Sequence, residues 1–300
     1  MVLELDVMAE MPAESPQSAT PDTAPRDPVD KAQRRDAIFL LKAFKARRLA
    51  IRKERLDPAT AFFDDGLETY RTADEGRPGK TLSGFRDFAL PLASVFQGQL
   101  MQDIWALYEL DGKRGGYFVD FGATNGTTFN NSVVLERRFA WKGIVAEPNP
   151  SYHAQIFKNR KCAISTKCVH SVSGERLEFL CSTRGMMSHL AGKGEGVDIA
   201  DAEIDQRVMV DTVTLDDLLD EHNAPPVIDF ISIDTEGSEY DILSAFDFSR
   251  RHVRLFAVEH NFGTRRDTIH ALMTANGYIR RFPELSRFDD WYIHRDDLHA

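Results

Sequence analysis

The sequence predicts an α/β protein with a doubly wound, mainly parallel sheet and an antiparallel edge, preceded by a disordered leader and a helical extension. Three observations carry that prediction. From Gly116 onward, short apolar runs alternate with stretches of helical spacing, the pattern of parallel strands joined by crossover helices. Residues 227–233 form a continuous apolar run of the kind found in a central strand covered on both faces. Two last strand candidates, 278–282 and 291–294, close the pattern as a pair suited to an antiparallel edge.

Residues 1–30 read as the leader. Pro12, Pro16, Pro21, Pro25 and Pro28 stand there among Ala, Ser, Thr and Asp, a composition that buries too little apolar surface to offset its ordering entropy. Residues 31–115 read as the extension. Its first part, 31–55, sets Lys31, Arg34, Arg35, Lys42, Lys45, Arg47, Arg48, Arg52, Lys53 and Arg55 around Ile38, Leu41, Phe44 and Ile51 at helical spacing. Such a helix either packs one apolar stripe on its own domain, the commoner outcome, or makes peripheral contact with anionic lipid or an acidic partner. Further on, Phe62, Phe63, Phe85, Phe88 and Phe96 imply a packed helical or mixed unit, and Leu100, Ile104 and Leu107 give 96–110 helical spacing.

Residues 116–300 hold the sheet. Strands are expected at 117–121, 143–146, 169–172, 177–180, 208–213, 227–233 and 255–258, with 177–180 a hairpin partner of a neighbour. Helices are expected at 127–139, 149–158, 238–246 and 264–276, and another begins at Thr214, an N-cap followed by Asp216 and Asp217.

Composition excludes several classes. A net charge of −10 over 300 residues argues against a protein whose main work is neutralising nucleic-acid phosphates. Cys162, Cys168 and Cys181 include no C-x-x-C pair, so neither a disulfide framework nor a zinc site is expected, and a reducing cytoplasm is the simplest location. There is no apolar run of membrane-spanning length and no signal-peptide start.

The chemistry concentrates at strand ends. Val119-Asp120-Phe121-Gly122-Ala123-Thr124-Asn125-Gly126 follows a strand and opens a helix, where α/β sheets bind nucleotide-like ligands; this is a Rossmann-like placement. Gly122 and Gly126 would let the turn pass close under a ligand. Thr124 stands where a dinucleotide motif needs its second glycine, and Gly126 is followed by Thr127-Thr128 rather than Lys-Ser, so neither phosphate motif fits. Asp120, just ahead of the glycines, suits a cationic ligand, and S-adenosylmethionine carries a sulfonium and an ammonium. Glu147 ends the second strand, 25 residues after Gly122, about where a carboxylate reaches ribose hydroxyls; the alternative is a surface carboxylate at a strand end. Asp234, Glu236 and Glu239 crowd the tip of the 227–233 strand. They would bind a divalent cation, orient an acceptor hydroxyl or take its proton, although Glu239, and on the plainer reading Glu236, also suits the first turn of the following helix. His260, at the end of the next strand beside Glu259, is either a general base or a satisfied structural histidine.

Four ordered segments resemble the FkbM-type methyltransferases: residues 119–126, Val145-Ala146-Glu147-Pro148-Asn149-Pro150, residues 231–239, and Val258-Glu259-His260, with Val213-Thr214-Leu215-Asp216-Asp217-Leu218 between the second and third. The resemblance spans about Gly116 to His294. It implies S-adenosylmethionine as donor and O-methylation of a hydroxyl on a sugar, glycolipid, polysaccharide or natural product. It places Asp120, Gly122, Asn125, Gly126 and Glu147 at the donor, with Asp234 and His260 near the acceptor; Asp234 is also a donor-site candidate, and Glu236 joins Asp234 and His260 as a catalytic candidate. The family's usual lysine before the third-motif aspartate is Ser232 here, so no catalytic lysine is assigned. Two alternatives stand beside this reading: a nicotinamide-dependent oxidoreductase, and a silent membrane-associated module using residues 31–55. Asp289-Asp290-Trp291-Tyr292 either closes over the acceptor or supplies core.

Overall fold

A computed structural model describes residues 80–92, 95–183, 186–193 and 203–298. The expected leader at 1–30, the basic segment at 31–55 and Phe62-Phe63 lie outside the described residues.

The main sheet has seven strands. They are β1 (Tyr117–Phe121), β2 (Lys142–Ala146), β3 (Ala163–Ser165), β8 (Val227–Ile233), β9 (His252–Glu259), β10 (Tyr278–Arg281) and β11 (Asp289–His294), in the order β10-β11-β9-β8-β1-β2-β3. β3, β2, β1, β8 and β9 pair in parallel, while β11 runs antiparallel to both β9 and β10, which is the expected antiparallel edge.

Alternation along each strand feeds two cores. On one face Phe118, Phe230, Leu255 and Trp291 pack with α1 (Leu82–Leu92), α2 (Gln102–Glu109), α3 (Val133–Phe139) and Ile156 of α4 (Pro150–Asn159). Trp105 stacks on Trp291 at 5.1 Å there, and Phe85 stacks on Phe282 at 5.6 Å. On the other face Val119, Ile231, Phe256 and Tyr292 pack with α5 (Leu215–Glu221), α6 (Glu239–Ala245) and α7 (Arg266–Ala275). Residues 80–109 thus share a core with the sheet, each large buried side chain contributing about 1.5–3 kcal/mol.

A smaller four-stranded sheet, β4 (Cys168–Val169), β5 (Arg176–Ser182), β6 (His189–Leu190) and β7 (Ile204–Val213), has the order β4-β7-β5-β6 and closes on Phe179, Cys181, Leu190 and Val210. β5 runs antiparallel to β7 and β6, whereas β4 pairs in parallel with β7, so 177–180 does not form the expected hairpin with the preceding strand.

Local polar chemistry moves several boundaries. The 127–139 helix begins only at Val133, because Asn125 takes the Thr127 and Thr128 N–H groups and Asn130 takes those of Ser132 and Val133, holding the intervening chain in turns. Helix α2 starts at Gln102 rather than near 96, since Asp103 accepts from the Gln97 and Gly98 amides. The 169–172 strand shrinks to the Cys168–Val169 bridge, whereas 208–213 extends back to Ile204 through exposed Asp205, Gln206 and Arg207. β3, β6 and the one-turn α8 (Pro283–Ser286) are too short for a readable period. As expected, Thr214 caps α5 through the Asp217 amide at 3.1 Å; Asn149 caps α4 through the Ser151 amide at 3.0 Å, with Pro150 in the first turn. Among the described residues, no helix is long and apolar enough to cross a membrane.

Candidate active site

The chain leaves β1 toward β2 and β3 on one side and later returns to β8 and β9 on the other, so the loops after β1 and β8 diverge. A crevice at the carboxyl ends of the strands follows from that reversal. The structure has a cavity there, with about 1240 Å³ of space between its walls, part of it open to solvent. Its size suits a nucleoside-sized ligand. Gly122 and Thr124 follow β1, Ala146 ends β2 and Glu147 follows it, Asp234, Thr235, Glu236 and Ser238 follow β8, and Glu259 and Asn261 come from the end of β9. The small sheet supplies an apolar wall through Val169, Phe179 and Leu190.

Gly122 and Glu147 therefore face one cavity, but the glycines serve the loop rather than ligand clearance. Gly122 sits at φ +70°, and a Cβ on it would lie 2.1 Å from the Asp234 carbonyl oxygen. What requires glycine is the close approach of the β1 turn to the β8 end. Gly126, at φ +81°, would place a Cβ 2.7 Å from Arg160 Cγ. Behind the loop, Asp120 accepts from Ser132 Oγ at 2.5 Å, and Arg160 donates to Asn130 Oδ1 and Ser132 Oγ, each at 2.9 Å. The guanidinium also pairs with Glu136 and lies 5.4 Å over the Phe118 ring. Burial raises the Asp120 carboxyl above its ordinary range, opposed by the Ser132 hydrogen bond and Arg160. Asp120, Asn125 and Gly126 are thus brought together as the scaffold of the loop, and the cavity wall itself is formed by Gly122, Thr124, Thr128 and Phe129.

Glu147 is buried at the cavity wall, accepting from the Thr124 N–H on Oε2 at 2.7 Å and from the Asn149 N–H on Oε1 at 2.8 Å. Each oxygen keeps a lone pair for a further donor. Burial pushes its carboxyl up to about 7, against the two amide hydrogen bonds, and the Asp120 charge adds to the rise.

Beside it the strand ends carry a row of acids. Asp289 pairs in register with Glu259, and Asp234 follows Ile233, whose partner is Val258, so Asp234, Glu259 and Asp289 sit at one level on adjacent strands. One carboxylate oxygen each from Asp234, Glu236 and Glu259 lies within 4.8 Å of the others. Burial, then Glu236 and Asp289, pushes Asp234 well above the carboxylate range; burial and Glu239 raise Glu236 to about 7. Glu239 is framework, accepting from the Thr235 and Gly237 amides at 3.0 Å. Asp229, earlier on β8, lies at the strand's opposite end, held by Lys113 at 2.6 Å and the Tyr117 amide at 2.9 Å.

A family model for the FkbM methyltransferase domain matches residues 120–280, more than half of the chain, from Asp120 of β1 to Arg280 of β10. The chain belongs to the FkbM methyltransferase family. No curated protein matches it.

In this FkbM methyltransferase the last sequence candidate, His260, lies apart from the cavity. Alternation at the end of β9 sends Glu259 to the cavity and His260 to the opposite face, where it is buried against Asp290, its Nε2 3.8 Å from Asp290 Oδ1 and its Nδ1 accepting from the Phe262 amide at 3.0 Å. Arg266 holds Asp290 at 2.8 Å. Burial lowers the His260 imidazole below its ordinary value, with Arg266 adding to the fall and Asp290 opposing it. Glu259 is the site residue that sequence reasoning passed over, having treated it only as a neighbour of His260. Trp291 is core, fully buried between Trp105 and Phe85.

Proposed function

We propose that this FkbM methyltransferase moves a methyl group from S-adenosylmethionine to a hydroxyl of an acceptor, the donor lying in a Rossmann-like site. One observation carries the reading. The cavity that joins the β1 loop to Glu147 is lined by four carboxylates, Glu147, Asp234, Glu236 and Glu259, and among the described residues by no lysine, arginine or histidine. Such a lining offers a cationic nucleoside carboxyl oxygens to pair with and a pyrophosphate no positive charge. The nicotinamide alternative therefore loses ground on charge as well as on Thr124. The adaptor alternative rests on residues 31–55, outside the described region.

S-adenosylmethionine supplies an activated methyl on a sulfonium. Glu147 accepts from the ribose hydroxyls with the lone pairs left after Thr124 and Asn149 are served. Asp120, Asn125 and Gly126 hold the loop through Ser132, Arg160 and the turn amides. Asp234 and Glu236 face the acceptor, and of the two bases the sequence offered, Asp234 has the geometry to take its proton, while His260 is aimed elsewhere. Burial, with Glu236 and Asp289, raises the Asp234 carboxyl above its ordinary range, the direction that favours a general base. The fold's contribution to rate is alignment of donor and acceptor. The resemblance favours a sugar, glycolipid, polysaccharide or natural product as acceptor, and we place the reaction in the cytoplasm.

The test is titration calorimetry with S-adenosylmethionine and with nicotinamide dinucleotides, followed by labelled-methyl transfer to a panel of glycans, glycolipids and small hydroxylated metabolites. Glu147→Ala should weaken donor binding by about tenfold, roughly 1.4 kcal/mol. Equal affinity in wild type and variant would remove the ribose assignment, and binding of the dinucleotide alone would overturn the donor itself.

A further inference from the structure

We propose that Asp234, Glu236 and Glu259 hold a hard divalent cation on the acceptor side of the cavity. Three independent features of the structure lead there. Glu259 ends β9 and Asp234 directly follows β8, so two donors are placed by the sheet; Glu236 stands in the loop after β8, where Asn261 Nδ2 donates to its Oε2 at 3.0 Å, and one oxygen from each of the three lies within 4.8 Å of the others. Glu259 is only 5% exposed, lines the cavity, and its Oε2 is buried with no hydrogen-bond partner. A buried carboxylate oxygen normally has its donor in the protein, and an orphan on a cavity-lining residue points to a ligand that brings positive charge. Finally, the neighbouring acids are already spoken for: Glu239 accepts from Thr235 and Gly237, and Asp289 accepts from Gln102 Nε2 at 2.6 Å. Asp234 and Glu259 have only each other, through a side-chain hydrogen bond between the two carboxyls, and the described residues of the lining include no lysine, arginine or histidine.

An all-oxygen donor set selects Mg²⁺, Mn²⁺ or Ca²⁺ over softer metals. The second histidine and carboxylate group in the structure, His252, His294 and Asp297, makes a useful contrast. There Asp297 already pairs with His252 Nε2 at 2.7 Å and with Arg254 at 3.4 Å, so its charge is met within the protein. At the Asp234 site three protein carboxylates leave coordination positions open to the cavity. An acceptor hydroxyl taken there is oriented and made more acidic, which assists its deprotonation. That catalytic use rests on the methyl-transfer reading above; the binding of the cation does not.

The experiment uses the full, untagged chain freed of metal by a chelator. Mn²⁺ is titrated at pH 8 by calorimetry and by its electron paramagnetic resonance signal, and Ca²⁺ by calorimetry alone, each with and without S-adenosylmethionine. One site per chain is expected, weakened about tenfold or more in both Glu259→Gln and Glu236→Gln, and unchanged in Asp211→Asn on the exposed face of β7. The glutamine variants keep shape while removing repulsion, so they should fold, and circular dichroism checks this. Absence of Mn²⁺ and Ca²⁺ binding below about 1 mM, or binding indifferent to both glutamine variants, overturns the site. Donor binding is read separately in the same titrations: S-adenosylmethionine bound without a cation sinks this proposal alone, and a cation bound without S-adenosylmethionine sinks the donor reading alone.

Discussion

At the scale of single residues, Gly122 and Arg160 are held by constraints that their types alone satisfy. Gly122→Ala must place a Cβ at a positive φ, costing about 1–2 kcal/mol from the backbone alone, and must also push the Asp234 carbonyl away from a 2.1 Å overlap. Chemical denaturation should show a loss larger than the backbone figure, and donor affinity should fall with it because the displaced carbonyl belongs to a cavity residue. Wild-type stability in Gly122→Ala would mean that the two strand ends are farther apart than described. Arg160, with a fully buried side chain, answers Glu136, Asn130 and Ser132 at once. Arg160→Met keeps much of the volume but strands Glu136 and weakens the support of Asp120, so a loss of about 3–5 kcal/mol is expected, measured by urea unfolding.

At the scale of elements, the loop between β1 and α3 works as one hydrogen-bonded unit, and Asn125 is its centre. Asn125→Ala frees the Thr127 and Thr128 amides and should raise KM for the donor about tenfold with little change in kcat, since nothing at the reacting atoms is removed. An unchanged KM would show that the loop keeps its form without the side chain. This loop also shows what the sequence made legible. Gly122 and Glu147 were readable as partners, because a strand followed by glycine and a carboxylate at the next strand's end is a local signal, repeated by the topology. The loop's internal bonds were not readable, so the apolar pattern alone drew α3 six residues too long at its start. The reason given for Gly122 also failed for want of tertiary information: the β8 carbonyl that excludes a Cβ is far away in sequence. Similarly, Glu259 and His260 are adjacent, and alternation guarantees that they face opposite ways. Which of them faces the cavity depends on the register of β9 against β8, set by the Ile233 and Val258 pairing. The carboxyl-end crevice was a consequence of strand order, and the order followed from the alternation of elements, whereas residues 80–109 joined the core through Trp105 and Phe85, contacts with no local signature.

At the scale of the whole molecule, the buried acids govern how stability changes with pH. Glu147 and Asp289 are each pushed up to about 7 by burial, and Asp120, Asp234, Glu236 and Glu259 move in the same direction. A carboxyl whose folded value lies above its unfolded value binds its proton more tightly in the native state. Its contribution to stability is therefore complete below the unfolded value and disappears as pH rises through the folded one. His170, His260, His270 and His294 act oppositely: burial lowers all four, so the unfolded chain takes protons first and stability falls as pH drops below about 6.5. Asp217, Asp220, Asp241 and Asp247 are lowered instead, and the stability they lend is lost only as pH falls below the ordinary aspartate range. In the unfolded chain the histidines are still about half-protonated at pH 6.5 and nearly neutral only by about pH 7.5, so they partly offset the raised carboxyls over the first unit; over the second the carboxyls dominate, and Cys162, Cys168 and Cys181, also raised by burial, add in the same direction. The metal-free chain should thus lose stability between pH 6.5 and 8.5, with a slope of about 1.4 kcal/mol per pH unit for each carboxyl still protonated in the native state. Urea unfolding at pH 6.5, 7.5 and 8.5 measures it, and Glu147→Gln and Asp289→Asn should each flatten the fall. Stability that rises across this interval would mean that the acids at the strand ends are already ionised and balanced by positive charge within the folded chain, contrary to the lining described above.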